Sequence, residues 1–560
     1  MHLYKQKNII FLFILIINII SAENTVGLIL NDDTKSFPGY TLFAPSTSTT
    51  TYLIDNEGRK VHAWESKYVP ALSAYLLEDG NLLRTAAISD STNSTNNRKG
   101  GFQKIAWDGT VLWEFYYGTQ HHDIEQLPNG NILLVLNDPK QKPVAIQAGR
   151  DPVSMSANII RSTSIIEVQQ TGPTTGEIVW QWNAWDHLIQ EFDDSDSTYN
   201  FGVVSEHPEL IDVNYATSTT QDWLHTNSVS YNLGFDQILL SNRSTNEIWI
   251  IDHSTSTEEA ASHAGGNSGK GGDLLYRWGN PIAYQAGTDN DQKIFRQHDA
   301  HWITSGLNGE GNILIFNNGL LGPEYSSIEE ITPPQVDGNG NYPLTTGSAY
   351  GPVNSVWTFN TTPTSDFYSP RYGGSQRLPN GNTLICNSEI GEFFEVTPDK
   401  VIVWKYINPV VSDSVLKQGD LVIDSDGNSI VTNQVFRCYK YGETYPGLYG
   451  KVLTPGEPLK INDEQNLSDS FKLFNNYPNP FNPITNIEFT LTERTKINIS
   501  IYDLAGNKIR TLVSNIMEPG LKSITWDSKD DDGTAVSSGV YFYNLQAGQQ
   551  NQTKKMMLLR

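Results

Sequence analysis

The chain is 560 residues long, 38% apolar and 11% aromatic, with a formal net charge of −24 at pH 7. That length accommodates one large domain and a small one, while so negative a surface excludes nucleic acid and anionic lipid as favoured partners, because it repels a polyanion. Two cysteines, Cys386 and Cys438, are too few to frame a chain of this size and are read as buried thiols, although an oxidising compartment would allow them to pair.

At the N-terminus Lys5 and Lys7 precede an apolar run from Ile9 to Ile20, and Ser21-Ala22 supplies small residues for cleavage. This pattern predicts a secretory signal peptide over 1–22. No later stretch is long and apolar enough to span a bilayer, so no transmembrane segment is expected in the mature chain.

From 23 to 455 the sequence repeats itself. A short apolar strand after a polar turn occurs six times, beginning at Glu78, Pro128, Gly234, Gly309, Pro379 and Ser425, as in Pro128-Asn129-Gly130-Asn131-Ile132-Leu133. Asn-Gly or Asp-Gly between apolar runs signals a hairpin, and a two-residue turn with positive φ at both positions is expected. A second element ends in Trp64, Trp113, Trp182, Trp278, Trp357 and Trp404. Together the two elements read as a four-stranded blade with an aromatic wedge between neighbours, and six of them make an all-β, six-bladed β-propeller. The strand Tyr40 to Phe43 is placed to close the ring by joining the last blade.

A polar linker is expected over 456–470. Residues 471–560 then change character. Tyr477-Pro478-Asn479-Pro480-Phe481-Asn482-Pro483 precedes alternating Ile497, Ile499 and Ile501, and the chain ends near Lys554-Lys555-Met556-Met557. The alternation predicts a small antiparallel, immunoglobulin-like β-sandwich. These residues resemble the C-terminal sorting domains of type IX secretion, which implies export across an outer membrane and type IX machinery as a partner. Asp530-Asp531-Asp532-Gly533 is read as a solvated turn, since the other ligands of a calcium loop are missing.

All 11 histidines lie at or before His301. His122, His225 and His298 share one place in the repeat, at the start of the strand that leads into the hairpin. Inner strands line a propeller's channel, so these side chains are expected to converge. Three imidazoles can bind a metal or hold an anionic group. Arg243, which donates to anionic oxygens and sits poorly beside a divalent cation, favours the anion.

His122-Asp123 before Leu127-Pro128-Asn129-Gly130, His225 with Asn227 and Ser228, Ser241-Asn242-Arg243, and Gln297-His298 resemble the bacterial aryl-sulfate sulfotransferase family. The resemblance implies a propeller that moves a sulfuryl group from a phenolic sulfate to a phenol, needing neither metal nor nucleotide. It implies that His298 is transiently sulfated, that His225, Asn227 and Arg243 hold the sulfuryl oxygens, and that His122 is a further active-site histidine suited to acid–base work. His301, Arg377 and Arg437 are additional candidates for substrate binding, the arginines equally for pairing with carboxylates between blades. The rival readings are a surface propeller that binds sulfated glycan or protein without catalysis, and a metal-dependent enzyme. Inserts over 191–215 and 252–273 depart from the family pattern.

Overall fold

The computed structural model describes residues 26–88, 99–195, 198–216, 221–345, 347–411, 414–416, 433–456, 471–473, 476, 478–491, 494–504, 506–518, 520–547 and 550–559. The expected signal peptide, most of the linker and the hairpin at Ser425 lie outside them. Two compact units span 1–461 and 462–560.

The first unit consists of antiparallel blades, each with its strands in sequence order from the centre outward. Blade 2 runs Pro70–Leu76, Leu82–Ala86, Lys99–Ile105 and the first half of Val111–Gln126. The second half of that long strand is the innermost strand of blade 3, which adds Ile132–Gln141, Ile159–Gln170 and Gly176–Asn183. Blade 4 is Thr226–Asn232, Gln237–Asn242, Glu247–Asp252 and Tyr276–Trp278. Blade 5 is His298–Trp302, Ile313–Asn317, Ser327–Ile331 and Trp357–Phe359. Blade 6 is Gly374–Arg377, Thr383–Asn387, Glu392–Val396 and Ile402–Ile407, with Gly27–Asn31 added outside. Blade 1 takes its inner strand, Val435–Gly442, from the far end of the unit and its other three, Gly39–Pro45, Thr50–Ile54 and Lys60–Glu65, from the beginning. Consecutive inner strands touch in a closed cycle. This is a β-propeller, closed as the strand around Tyr40 to Phe43 foretold.

The repeated turns differ from the two-residue form expected. Gly80, Gly130 and Gly381 have φ of +80°, +88° and +86°, while the residue before each is not left-handed. The N–H of Leu77, Leu127 and Leu378 donates to the carbonyl of Asn81, Asn131 and Asn382, and each Gly N–H donates back to the same Leu. Each turn is therefore a longer hairpin loop with only its Gly left-handed. The preceding Asp79, Asn129 or Asn380 caps the loop with its own side chain.

Five of the six recurrent Trp residues tie their blade to the next, Trp113 being buried without such a bond among the described residues. The indole N–H of Trp64 donates to the carbonyl of Ala106, Trp182 to Gly272, Trp278 to Pro352, Trp357 to Pro398, and Trp404 to Asn56. Burying such a ring contributes on the order of 4 kcal/mol. A polar chain repeats too. In blade 3 the amide of Asn131 donates to Glu167, which also contacts His253 of blade 4 at 3.1 Å. In blade 5 Asn312 donates to Glu330, which meets Arg377 of blade 6 at 2.6 Å. In blade 6 Asn382 donates to Glu395, which meets Lys440 of blade 1 at 2.9 Å.

The second unit is a β-sandwich. Its sheets are Phe471–Leu473, Thr485–Leu491 and Gly520–Trp526 on one side, and Lys508–Met517, Thr495–Tyr502, Gly539–Ala547 and Gln550–Leu558 on the other. The alternating Ile497, Ile499 and Ile501 are fully buried together with Trp526 and Tyr543.

Candidate active site

Each inner strand of blades 3, 4 and 5 carries a bulge at its histidine or, for His225, just after it. Register shifts fall between Gln120 and Ile124, Thr226 and Ser228, and His298 and His301. The backbone is left-handed at His122 (φ 57°), His225 (φ 52°) and Asp299 (φ 52°). Bulges re-aim side chains, and non-Gly residues hold this conformation only where surrounding contacts impose it. The result is convergence: ring nitrogens of His122, His225 and His298 lie within 4.8 Å of one another.

Every one of these rings is held from behind through Nδ1. His225 meets the Asp222 carboxylate at 2.6 Å, His298 meets Oδ1 of Asn318 at 2.7 Å, and His122 meets Nδ1 of His121 at 2.6 Å. All three therefore have Nε2 free of these ties. Burial, then the positive charge of Arg243, pushes the His298 imidazole well below the ordinary histidine range, so it is neutral at pH 7. Burial and then the neighbouring His225 do the same to His122.

Arg243 follows the second strand of blade 4 and faces His298. Its guanidinium has no hydrogen-bonding or carboxylate partner among the described residues. Arg296 is likewise unpaired there, and the two repel: burial first, then Arg296, pulls Arg243 down to about 10. Two partly buried cations without an ion-paired carboxylate among the described residues attract an oxyanion. They also oppose a divalent metal at the three histidines, which bring no carboxylate into the set.

Aromatic side chains flank the cluster. The ring of Phe436 lies 6.0 Å from His122 and 6.4 Å from His298, and Tyr372 lies 5.9 Å from His298 and 5.5 Å from Phe436. This wall suits an aryl group.

Arg437 does not face the mouth. It is 2% exposed and clamped between Asp123 (2.8 Å) and Asp299 (3.1 Å). It also donates to the carbonyl of Asn227 and to Tyr75 Oη, while the N–H of Ser375 donates to Asp299. All six inner strands thus meet at one buried hub. Burial acts to lower the guanidinium, but Asp123 and Asp299 outweigh it and hold Arg437 firmly protonated. Arg377 is likewise committed, to Glu330 in the repeated Asn–carboxylate–cation chain, and its guanidinium lies over Trp357. Of the two roles the sequence offered for these arginines, the structure displays the pairing with carboxylates between blades.

Asn227 is wholly buried, and its amide N–H₂ donates to the carbonyl of Gln297, the residue before His298. It braces the strand that presents His298, and one of the two amide N–H groups assigned to the sulfuryl oxygens is spent there. His301 Nδ1 contacts the Asp299 carbonyl at 2.9 Å, outside the cluster. A second group, His187, His263 and Asp273, has ligand-like spacing. Both nitrogens of the buried His187 are engaged, by Asp273 at 2.8 Å and the Ala260 carbonyl at 2.8 Å, so it fastens the insert between the third and fourth strands of blade 4. In the Gly-rich part of that insert, the carbonyl of Gly272 accepts from the Trp182 indole. Cys386 and Cys438 are buried free thiols.

Asp222, Asn318, Arg296, Tyr372 and Phe436 escaped the sequence reading. A signal existed for Asn318: it follows the second strand of blade 5 as Arg243 follows that of blade 4.

Residues 47–416 match the family model described as arylsulfotransferase (ASST), and residues 475–559 match that of the secretion system C-terminal sorting domain. No curated protein matches the chain significantly. Solved structures similar to it include a protein of unknown function from Bacteroides caccae, at 13% identity and TM-score 0.35, covering 66% of this chain and 93% of that one. Another is the periplasmic gluconolactonase PpgL of Pseudomonas aeruginosa, at 8% identity and TM-score 0.34, covering 87% and 99%. A third is virginiamycin B lyase from Staphylococcus aureus, at 10% identity and TM-score 0.31, covering 69% and 89%. No described helix is long and apolar enough to cross a membrane.

Proposed function

Because the chain belongs to the arylsulfotransferase family and carries a C-terminal sorting domain that implies secretion, we propose that it is an exported enzyme transferring a sulfuryl group from a phenolic sulfate ester to a phenol through a sulfohistidine on His298. The observation that carries this reading is a buried, neutral His298 facing an unpaired Arg243. A neutral imidazole is a nucleophile, and splitting the transfer into two displacements at sulfur lowers each barrier. Arg243, aided by Arg296, stabilises charge on the sulfuryl oxygens. Phe436 and Tyr372 receive the aryl ring. No nucleotide sulfate donor takes part. The signal peptide over 1–22 and the sorting domain over 471–560 deliver the protein to the cell surface or medium through type IX machinery.

The test is incubation with a chromogenic aryl sulfate, with and without added phenol. Phenol-dependent turnover and one sulfuryl adduct on His298 by mass spectrometry are expected, and His298→Ala abolishes both. Full transfer activity in that variant overturns the covalent route.

A further inference from the structure

The sulfuryl-transfer reading leaves open how three similar imidazoles come to do different work. The groups behind them differ in chemistry. Asn318 donates through Nδ2 to the carbonyls of Ser369 (2.6 Å) and Tyr372 (2.7 Å). Both of its N–H donors are thereby spent, and turning the amide over would set its oxygen against two carbonyl oxygens. Its Oδ1 is an acceptor only, so the proton it receives from His298 resides on Nδ1, and the Nε2 lone pair is exposed. An amide carries no charge, so it fixes this tautomer without favouring the imidazolium. Behind His225 stands a carboxylate, Asp222, at 2.6 Å. It favours a ring that takes up and returns a proton at Nε2.

We propose that Asn318 and Asp222 are positioning residues that divide the labour, making His298 the nucleophile and His225 the proton carrier. In the first half-reaction His298 Nε2 attacks sulfur, the S–O bond to the aryl group breaks, and its electron pair leaves on the phenolate oxygen. The His225 Nε2 proton passes to that oxygen. The sulfated His298 ring now carries positive charge, and its Nδ1–H bond to Asn318 strengthens. In the second half-reaction the acceptor phenol returns a proton to His225 as its oxygen attacks sulfur, and the N–S bond breaks to restore the lone pair.

This inference rests on the transfer reading but is tested apart from it. The groups facing His298 are Arg243, His225, His122 and Arg437, all cationic or able to become so; the nearby Asn318, Tyr372 and Phe436 are neutral. Asn318→Asp therefore introduces the first carboxylate against the ring, and the acid limb of the donor reaction is expected to move up by about 1–3 pH units. Asp222→Asn should slow an unactivated donor, phenyl sulfate, by about 10²-fold or more. It should barely affect 4-nitrophenyl sulfate, whose phenolate departs without a proton. Nitrogen-15 spectra of histidine-labelled parent protein should show His298 protonated at Nδ1 and bare at Nε2, a readout that needs no variant to fold. A His298 ring protonated at Nε2, an unmoved acid limb, or equal losses on both donors in Asp222→Asn overturns the division of labour. Absence of any His298 adduct in the parent overturns the transfer reading instead, and leaves the tautomer result standing.

Discussion

Four arginines near the channel, two at its mouth and two in its walls, differ in one respect that decides what each does. Arg243 and Arg296 form no ion pair with a carboxylate among the described residues, Asp222 acting on Arg243 only as a weaker, more distant charge, whereas Arg437 is held by Asp123 and Asp299 and Arg377 by Glu330. Both kinds are removed from bulk water. For the first pair, desolvation remains uncompensated until an anion arrives. For the second, it is already offset inside the protein, and the charge serves to join blades. Buried cations thus act as binding groups or as rivets according to their nearest acid.

The sharpest way to break this contrast is at the hub. Arg437→Met leaves two buried carboxylates facing each other, and a loss of about 3–5 kcal/mol in unfolding free energy is expected by denaturant titration. Arg377→Met should cost stability at the seam of blades 5 and 6 while leaving the KM for the sulfate donor of the folded fraction unchanged; a raised KM would return Arg377 to the substrate. Arg243→Ala should do the reverse. Its melting temperature stays within a degree or two of the parent, while single-turnover sulfation of His298 slows by about 10²–10³-fold, the scale of losing one transition-state donor.

The smallest effect concerns His253, held between Asp236 (2.7 Å) and Glu167 (3.1 Å). Burial works to lower this group, but the two carboxylates prevail and raise it to about 9. A group raised on folding contributes its full stabilisation below its unfolded value of about 6.5 and loses it as pH rises through the folded value. The gain, on the order of 2 kcal/mol, should fade between about pH 6.5 and 9. His253→Gln should remove that part of the pH dependence of thermal melting and leave the rest.

The arginines also show what was legible in the sequence. Repeats report periodic requirements, so the hairpin Gly residues and the Trp wedges disclosed the propeller, and the shared repeat position of His122, His225 and His298 disclosed their convergence. The counter-ions of the buried hub obey no such period. Asp123 and Arg437 sit far apart in the chain and nothing local marks them as partners, so the sequence left Arg437 between substrate binding and pairing with a carboxylate. The Asn131–Glu167–His253 chain and its two counterparts were in principle readable, because they recur blade by blade. Tyr372 flanks the site from just before the inner strand of blade 6 and Phe436 from within that of blade 1, places where aromatic residues are equally common as packing.

Blade 1 is stitched from both ends of its unit: Phe43 pairs with Cys438, and the innermost strand is the last to be synthesised. A chain emerging N-terminus first holds His122, His225 and His298 long before it holds Phe436 and Arg437. Until then Asp123 and Asp299 have no cation between them, and the circle of strands stays open. On the proposed mechanism, an incomplete chain is expected to lack transfer activity. A fragment ending before Val435 contains His122, His225, Arg243 and His298 yet lacks the inner strand of blade 1, the keystone that closes the ring around them.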